Sequence, residues 1–271
     1  MPRIKRKPLS GKTLVLTRPR DPADGLAAKL RKLGAEVFLF PVIRTAPPPS
    51  YKKLDSAIRE LKNAASNPYD WILFTSQNGV RHFAKRMKGR LPPSIRTCAI
   101  GPQTARVMRA CGLPVHRTAG TFRAEAMVPL LGKIRGCRIL LPRTRQARET
   151  LPALLKKRGA RVDVVETYRT LPEARPGKET RRQILRGKAD CITFTSPSTA
   201  TYFTRHFSKE EIRKIFKKTK AASIGPITSQ SLRKHGIPSI LQAQSYDSLG
   251  LVRKIAEFFC KKKCSLQKKR S

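Results

Sequence analysis

The chain has 271 residues, 39% hydrophobic and 6% aromatic, with 59 Lys and Arg against 17 Asp and Glu for a formal net charge of +42. That length holds one large domain or two of about 100–150 residues. The charge implies anionic partners, the few aromatics argue against a base-stacking surface, and no apolar run approaches the ~18 residues of a membrane span.

Residues 1–10 read as a basic arm without the apolar segment of a secretory signal. TLVLT (13–17) reads as a strand, and Arg18 to Pro22 as a loop. Leu26, Leu30 and Leu33 are spaced for the buried stripe of a helix that Gly34 ends, and residues 35–43 form a second strand. Strand, helix, strand with this connection length implies a parallel pair and a right-handed crossover. Pro47-Pro48-Pro49 then breaks the pattern, and a helix over 52–64 follows. WILFTSQNGVRHF (71–83) and AIGPQTARVMRACGLP (99–114) each read as a short apolar run, a small polar turn and a helix. A closing helix over 121–131 completes this stretch.

Everything then returns in the same order. Residues 136–170 repeat the opening strand–helix–strand unit, with Arg143 in the place of Arg18 and Gly159 in that of Gly34. CITFTSPSTATYF (191–203) repeats 71–83, SIGPITSQSLRKHGIP (223–238) repeats 99–114, and 245–255 repeats the closing helix. Matching units in matching order mean two related α/β halves, each a parallel sheet flanked by helices.

The Pro-bearing stretches at 46–49 and 169–177 read as connectors. The piece before the first is too small to fold alone, so residues 1–45 should join 172–271 as a discontinuous domain around an inserted 50–168 domain. Residues 1–10 and 261–271 are expected to be basic disordered tails.

Familiar chemical motifs fail. Ser10-Gly11-Lys12-Thr13 lacks the earlier Gly of a phosphate loop and is followed by a strand. No GxGxxG fingerprint, carboxylate pair, nucleophile elbow or triad appears. The histidines His82, His116, His206 and His235 have no metal-ligand spacing and read as surface or satisfied side chains. Six scattered cysteines (Cys98, Cys111, Cys137, Cys191, Cys260 and Cys264) suit buried thiols in a reducing cytosol better than a disulfide framework, so the cytoplasm is the expected location.

What remains is the strand-to-helix loops. Thr75-Ser76 and Thr195-Ser196 sit where Ser or Thr caps a helix. In Gly101-Pro102-Gln103-Thr104 and Gly225-Pro226-Ile227-Thr228, Pro suits the first helical turn and Gly allows close approach to the backbone. Helix N-termini present unpaired N–H groups that bind carboxylate or phosphate, and ligands of open α/β sheets bind beyond the carboxyl ends of the strands. Tyr168 stands where Ile43 stands in the first half, and its phenol is a weak acid able to protonate a departing hydroxyl; spacing equally allows an amphipathic Tyr at a strand end.

TRP at 17–19, FTS at 74–76, IGPxT at 100–104, ETY at 166–168, FTSP at 194–197 and IGPxT at 224–228 together resemble the uroporphyrinogen-III synthase family over about residues 12–256. The resemblance implies two similar α/β domains joined by a two-stranded connector. It implies an enzyme that closes hydroxymethylbilane to uroporphyrinogen III with inversion of the last pyrrole ring and loss of water, without cofactor or metal. By the same resemblance Tyr168 is the proton donor. Arg18, Thr75, Ser76, Gly101, Thr104, Arg143, Ser196, Gly225 and Thr228 bind the polycarboxylate tetrapyrrole. The protein is expected to be a monomer that receives its substrate from hydroxymethylbilane synthase, with its basic tails adding non-specific polyanion attraction. The alternative is a basic two-domain protein that captures polyanions or nucleic acid without catalysis.

Overall fold

The computed structural model describes residues 7–18, 25–63, 69–120, 124–238 and 240–267, with side chains described as far as residue 260. In chain order the elements are β1 (Thr13–Leu16), α1 (Leu26–Lys32), β2 (Glu36–Leu39), β3 (Ile43–Ala46), α2 (Lys52–Lys62), β4 (Trp71–Phe74), α3 (Gln77–Met87), β5 (Arg96–Ala99), α4 (Pro102–Ala110) and β6 (Arg117–Thr118). A 3-10 helix over Ala124–Leu131 follows, then β7 (Arg138–Thr144), α5 (Thr150–Lys157), β8 (Arg161–Pro172), α6 (Lys178–Leu185), β9 (Cys191–Phe194) and α7 (Pro197–Thr204). The last elements are α8 (Lys209–Lys218), β10 (Lys220–Ser223), α9 (Pro226–Lys234), β11 (Ile240–Gln242) and α10 (Ser248–Gln267).

The chain divides into two compact units, Met1–Arg44 with Leu171–Ser271, and Thr45–Thr170. In the first, five strands lie in the order β11-β10-β9-β1-β2, all parallel. In the second, β8-β7-β4-β5-β6 form a parallel ladder with β3 beside β8. Each boundary falls inside a strand, β3 or β8, and these two strands pair, making a two-stranded connector. The fold is thus α/β, two similar domains that are each a parallel sheet flanked by helices. Both crossings run through hydrogen-bonded strands; the one at Thr170/Leu171 falls within the expected connector 169–177, and the one at Arg44/Thr45 lies just before the expected 46–49.

The central strands explain themselves. WILF in β4 and CITF in β9 are buried at all four positions, as both faces of a parallel sheet under helices require. In the second unit one face packs Leu54, Phe74, Phe83 and Leu140 and the other Trp71, Leu73, Leu141 and Leu155. In the first unit the corresponding layers hold Phe40, Phe194, Phe203 and Phe216, and Leu14, Leu16, Leu251 and Ile255. An aspartate enters each central strand in the same way. Asp70 N–H donates to Arg138 C=O at 2.9 Å, and the Asp70 carboxylate accepts from Arg138 N–H at 2.8 Å. Asp190 N–H donates to Thr13 C=O at 2.9 Å, and the Asp190 carboxylate accepts from Thr13 N–H at 2.9 Å.

Four local expectations come out differently. The run 35–43 splits at Pro41, which has no N–H to give the ladder, into β2 and β3. The closing segment of the second unit is a 3-10 helix, containing Pro129, over the part of 121–131 that is described. Residues 7–10 are a turn held by Leu9, fully buried, whose N–H donates to Leu33 C=O at 2.9 Å; the rest of the expected arm, 1–6, lies outside the described residues. At the other end α10 continues to Gln267, well into the stretch expected to be a frayed tail.

Candidate active site

Each sheet carries its candidate residues at the carboxyl ends of adjacent strands. In the second unit Ser76 follows β4 and caps α3 with φ −160° and ψ 151°, its Oγ accepting from Gly79 N–H at 3.0 Å. In the first unit Ser196 follows β9 and caps α7 with φ −163° and ψ 161°, its Oγ accepting from Thr199 N–H at 3.3 Å in a capping box. The glycine caps match as closely, Gly101 before α4 at φ 176° and ψ 173° and Gly225 before α9 at φ 175° and ψ 179°. Proline occupies the first turn after both, where a missing N–H goes unmissed. Four helix N-termini are thereby aimed from strand ends, two per sheet, with the partial positive charge that suits carboxylates.

The other expected residues divide. Thr75 and Arg18 are half-buried at their strand ends; Pro19 to Pro22 of the Arg18 loop lie outside the described residues. Thr104 and Thr228 are buried in the first turns of α4 and α9, an identical placement in the two halves. Arg143 is turned inward and only 5% exposed. Its guanidinium donates to Arg148 C=O at 2.7 Å and pairs with the Glu149 carboxylate, clamping the loop that follows β7.

Tyr168 stands near the carboxyl end of β8, 6% exposed, with its hydroxyl 3.2 Å from Ser76 Oγ. Its ring stacks on the imidazole of His82 from α3, centroids 5.4 Å apart and planes 15° off parallel. Burial raises the phenol pKa above its ordinary value while the Ser76 hydrogen bond works against that rise, so the hydroxyl is protonated at neutral pH. Burial, with help from Lys85 and Arg81, lowers the His82 pKa. The site therefore holds a protonated phenol against a capping hydroxyl and a ring that favours its neutral form. By its sequence His82 reads as a surface or satisfied side chain, because nothing in its local spacing marks a contact with a residue on a distant strand.

Among the described residues no group of three His, Cys, Asp or Glu side chains is placed to hold a metal ion, and no helix is long and apolar enough to cross a membrane.

Residues 24–253 match the family described as uroporphyrinogen-III synthase HemD. The chain is 31% identical over 236 residues to a putative uroporphyrinogen-III synthase of Methanothermobacter thermautotrophicus, covering 84% of this chain and 91% of that one. It is 29% identical over 261 residues to the uroporphyrinogen-III synthase of Synechococcus elongatus, covering 93% and 97%. A crystal structure of a mutant uroporphyrinogen III synthase from the extremely thermophilic bacterium Thermus thermophilus shares the fold, with a TM-score of 0.59, 24% identity and coverage of 95% and 99%.

Proposed function

The chain belongs to the uroporphyrinogen-III synthase family, and from that premise we propose that it closes hydroxymethylbilane to uroporphyrinogen III. Membership supports the enzyme, a cyclising lyase of porphyrin biosynthesis, over the alternative of a polyanion-binding protein without catalysis. The observation that carries the residue assignment is the buried Tyr168 hydroxyl at 3.2 Å from the Ser76 cap of α3. In this reading the Tyr168 O–H gives its proton to the substrate's terminal hydroxyl, which leaves as water. The phenolate left behind is held by the Ser76 hydroxyl and the positive end of α3. The cationic azafulvene so formed is attacked by the substituted carbon of the last pyrrole to give a spiro intermediate, which reopens with that ring inverted; closure of the macrocycle then expels a ring proton, which returns to the Tyr168 phenolate.

Loss of the hydroxyl is facile, so conformational control decides the isomer. The substrate carries carboxylates on every pyrrole, and the capped helices at Ser76, Gly101, Ser196 and Gly225, with Thr75, Thr104, Thr228 and Arg18, supply neutral donors and charge for them. Arg143 contributes through the loop it clamps. The net charge of +42 speeds capture of so acidic a ligand. The reading carries with it a cytoplasmic monomer, fed by hydroxymethylbilane synthase, that uses no cofactor.

The test is the isomer made. Purified protein supplied with hydroxymethylbilane should yield the type III product, whereas spontaneous closure gives type I; type I alone would overturn the function. Tyr168→Phe should lower turnover at least ~10-fold, at or below the ~10²–10⁴ typical of a general acid because the leaving group departs readily, with the fold intact by circular dichroism. Unchanged turnover would remove Tyr168 from the role while leaving the reaction standing.

A further inference from the structure

Tyr168 faces α3 only because the ladder slips. The register runs Pro142↔Val165, Arg143↔Glu166 and then Thr144↔Tyr168, which leaves Thr167 as an extra residue in β8. Side chains alternate faces along a strand, and opposed residues share a face. Tyr168 therefore shares the face of Pro142 and Val165, and Val165 belongs to the core layer that also holds Val80 and Phe83 of α3. Were the ladder to run on without the slip, Thr167 would oppose Thr144 and the phenol would share the face of Glu166, away from Ser76. A bulge of this kind re-aims a side chain.

Having been re-aimed, the ring needs a wall. Rotation about a tyrosine's side-chain bonds moves its oxygen by several ångströms, and the Ser76 hydrogen bond restrains only the tip. His82 supplies the flat surface, stacked at 15° along the ring. α3 itself is drawn close to the neighbouring strand β7, since a Cβ at Gly79 would stand 2.9 Å from Pro142 C=O. The repeat provides a contrast within the same chain. Where the second unit has His82 and Tyr168, the aligned positions of the first hold Tyr202 and Ile43, packed with that unit's apolar core. The first unit keeps the serine cap and has no phenol on the strand to hold.

Taking Tyr168 as the acid, as proposed above, we infer that His82 is a positioning residue, its ring face and the Thr167 bulge together fixing the phenol oxygen on the α3 cap. The imidazole acts as a surface and takes no part in proton transfer. Burial and the charges of Arg81 and Lys85 disfavour its protonated form, which fits that role.

The experiment compares His82→Ala with His82→Phe in the intact enzyme, measuring kcat, KM and isomer ratio, alone and in the Tyr168→Phe background. His82→Ala should lower kcat about 3- to 10-fold, the range a lost aromatic contact gives, with KM within about twofold. His82→Phe should recover most of that loss because it restores a flat face without a titratable nitrogen. In the Tyr168→Phe background His82→Ala should change kcat by less than about twofold, since the ring then has no proton to place. Equal losses in His82→Ala and His82→Phe, or a full loss persisting without the Tyr168 hydroxyl, would overturn the inference. If the alanine variant does not fold, His82→Leu against His82→Phe makes the same comparison with the volume kept. A Tyr168→Phe enzyme of unchanged turnover would instead strike at the acid assignment, so the two failures are distinguishable.

Discussion

Ser76→Ala tests the site without substrate. The serine does two jobs: it accepts from Gly79 N–H at 3.0 Å as the cap of α3, and it lies 3.2 Å from the Tyr168 hydroxyl. Losing a serine cap costs about 1 kcal/mol. Leaving a hydroxyl unpaired at a position only 6% exposed costs a further ~1–3 kcal/mol, so the substitution should destabilise its unit by roughly 2–4 kcal/mol. The chain has one tryptophan, and it is Trp71, 2% exposed on β4 of the same unit. Urea unfolding followed by its fluorescence therefore reports the Thr45–Thr170 unit without interference from the other. In the Tyr168→Phe background the buried hydroxyl no longer exists, and the cost of Ser76→Ala should fall to about 1 kcal/mol, the cap alone. Equal costs in the two backgrounds would refute the pairing of Ser76 with Tyr168.

Gly79→Ala should destabilise the same unit. Alanine favours a helix by roughly 1 kcal/mol, but its Cβ would meet Pro142 C=O at 2.9 Å and Ser76 Oγ at 3.1 Å, and overpacking of that kind costs about 1–3 kcal/mol; a rise in the Trp71-monitored midpoint would contradict the close packing of α3. The lowered His82 pKa fixes a pH dependence. The unfolded chain binds this proton more readily than the folded one, so the contribution is fully present above the unfolded value near 6.5 and is lost as pH falls through the folded value. His82→Phe should therefore flatten the acid-side decline of stability read by Trp71; His206, also lowered by burial, belongs to the other unit and leaves that signal alone. An unchanged slope would show that His82 is not held neutral by the fold.

The repeat was legible because it is local chemistry written twice. Ser or Thr before a helix and Gly-Pro at a helix start state their geometry within four residues, and the structure reproduces both pairs at nearly equal angles. The parallel strands were legible from their unbroken apolar runs. Features that depend on a distant partner were not. Arg143 looked like a ligand-binding arginine because it matches Arg18, and only the course of the 144–149 loop shows its carbonyl and carboxylate partners. The extra Thr167 is invisible without β7 beside it, and so is the meeting of His82 with Tyr168. The proline-bearing stretches pointed to the neighbourhood of the crossings though not to the paired strands β3 and β8 that carry them, and Pro41 marks where a missing N–H ends β2.

The interleaved chain path dictates an order of assembly during synthesis. β1 lies between β2 and β9, so its second neighbour, Cys191–Phe194, leaves the ribosome long after it. Meanwhile Thr45–Thr170 is one continuous stretch and has every strand of its own ladder. That half can mature while the opening β1–α1–β2 unit waits, one flank of its sheet unpaired and part of its apolar face uncovered. Nascent chains arrested once residue 170 has cleared the ribosome, with β9 still inside it, should then hold a finished half beside an aggregation-prone stub, a stage at which chaperones have something to shield.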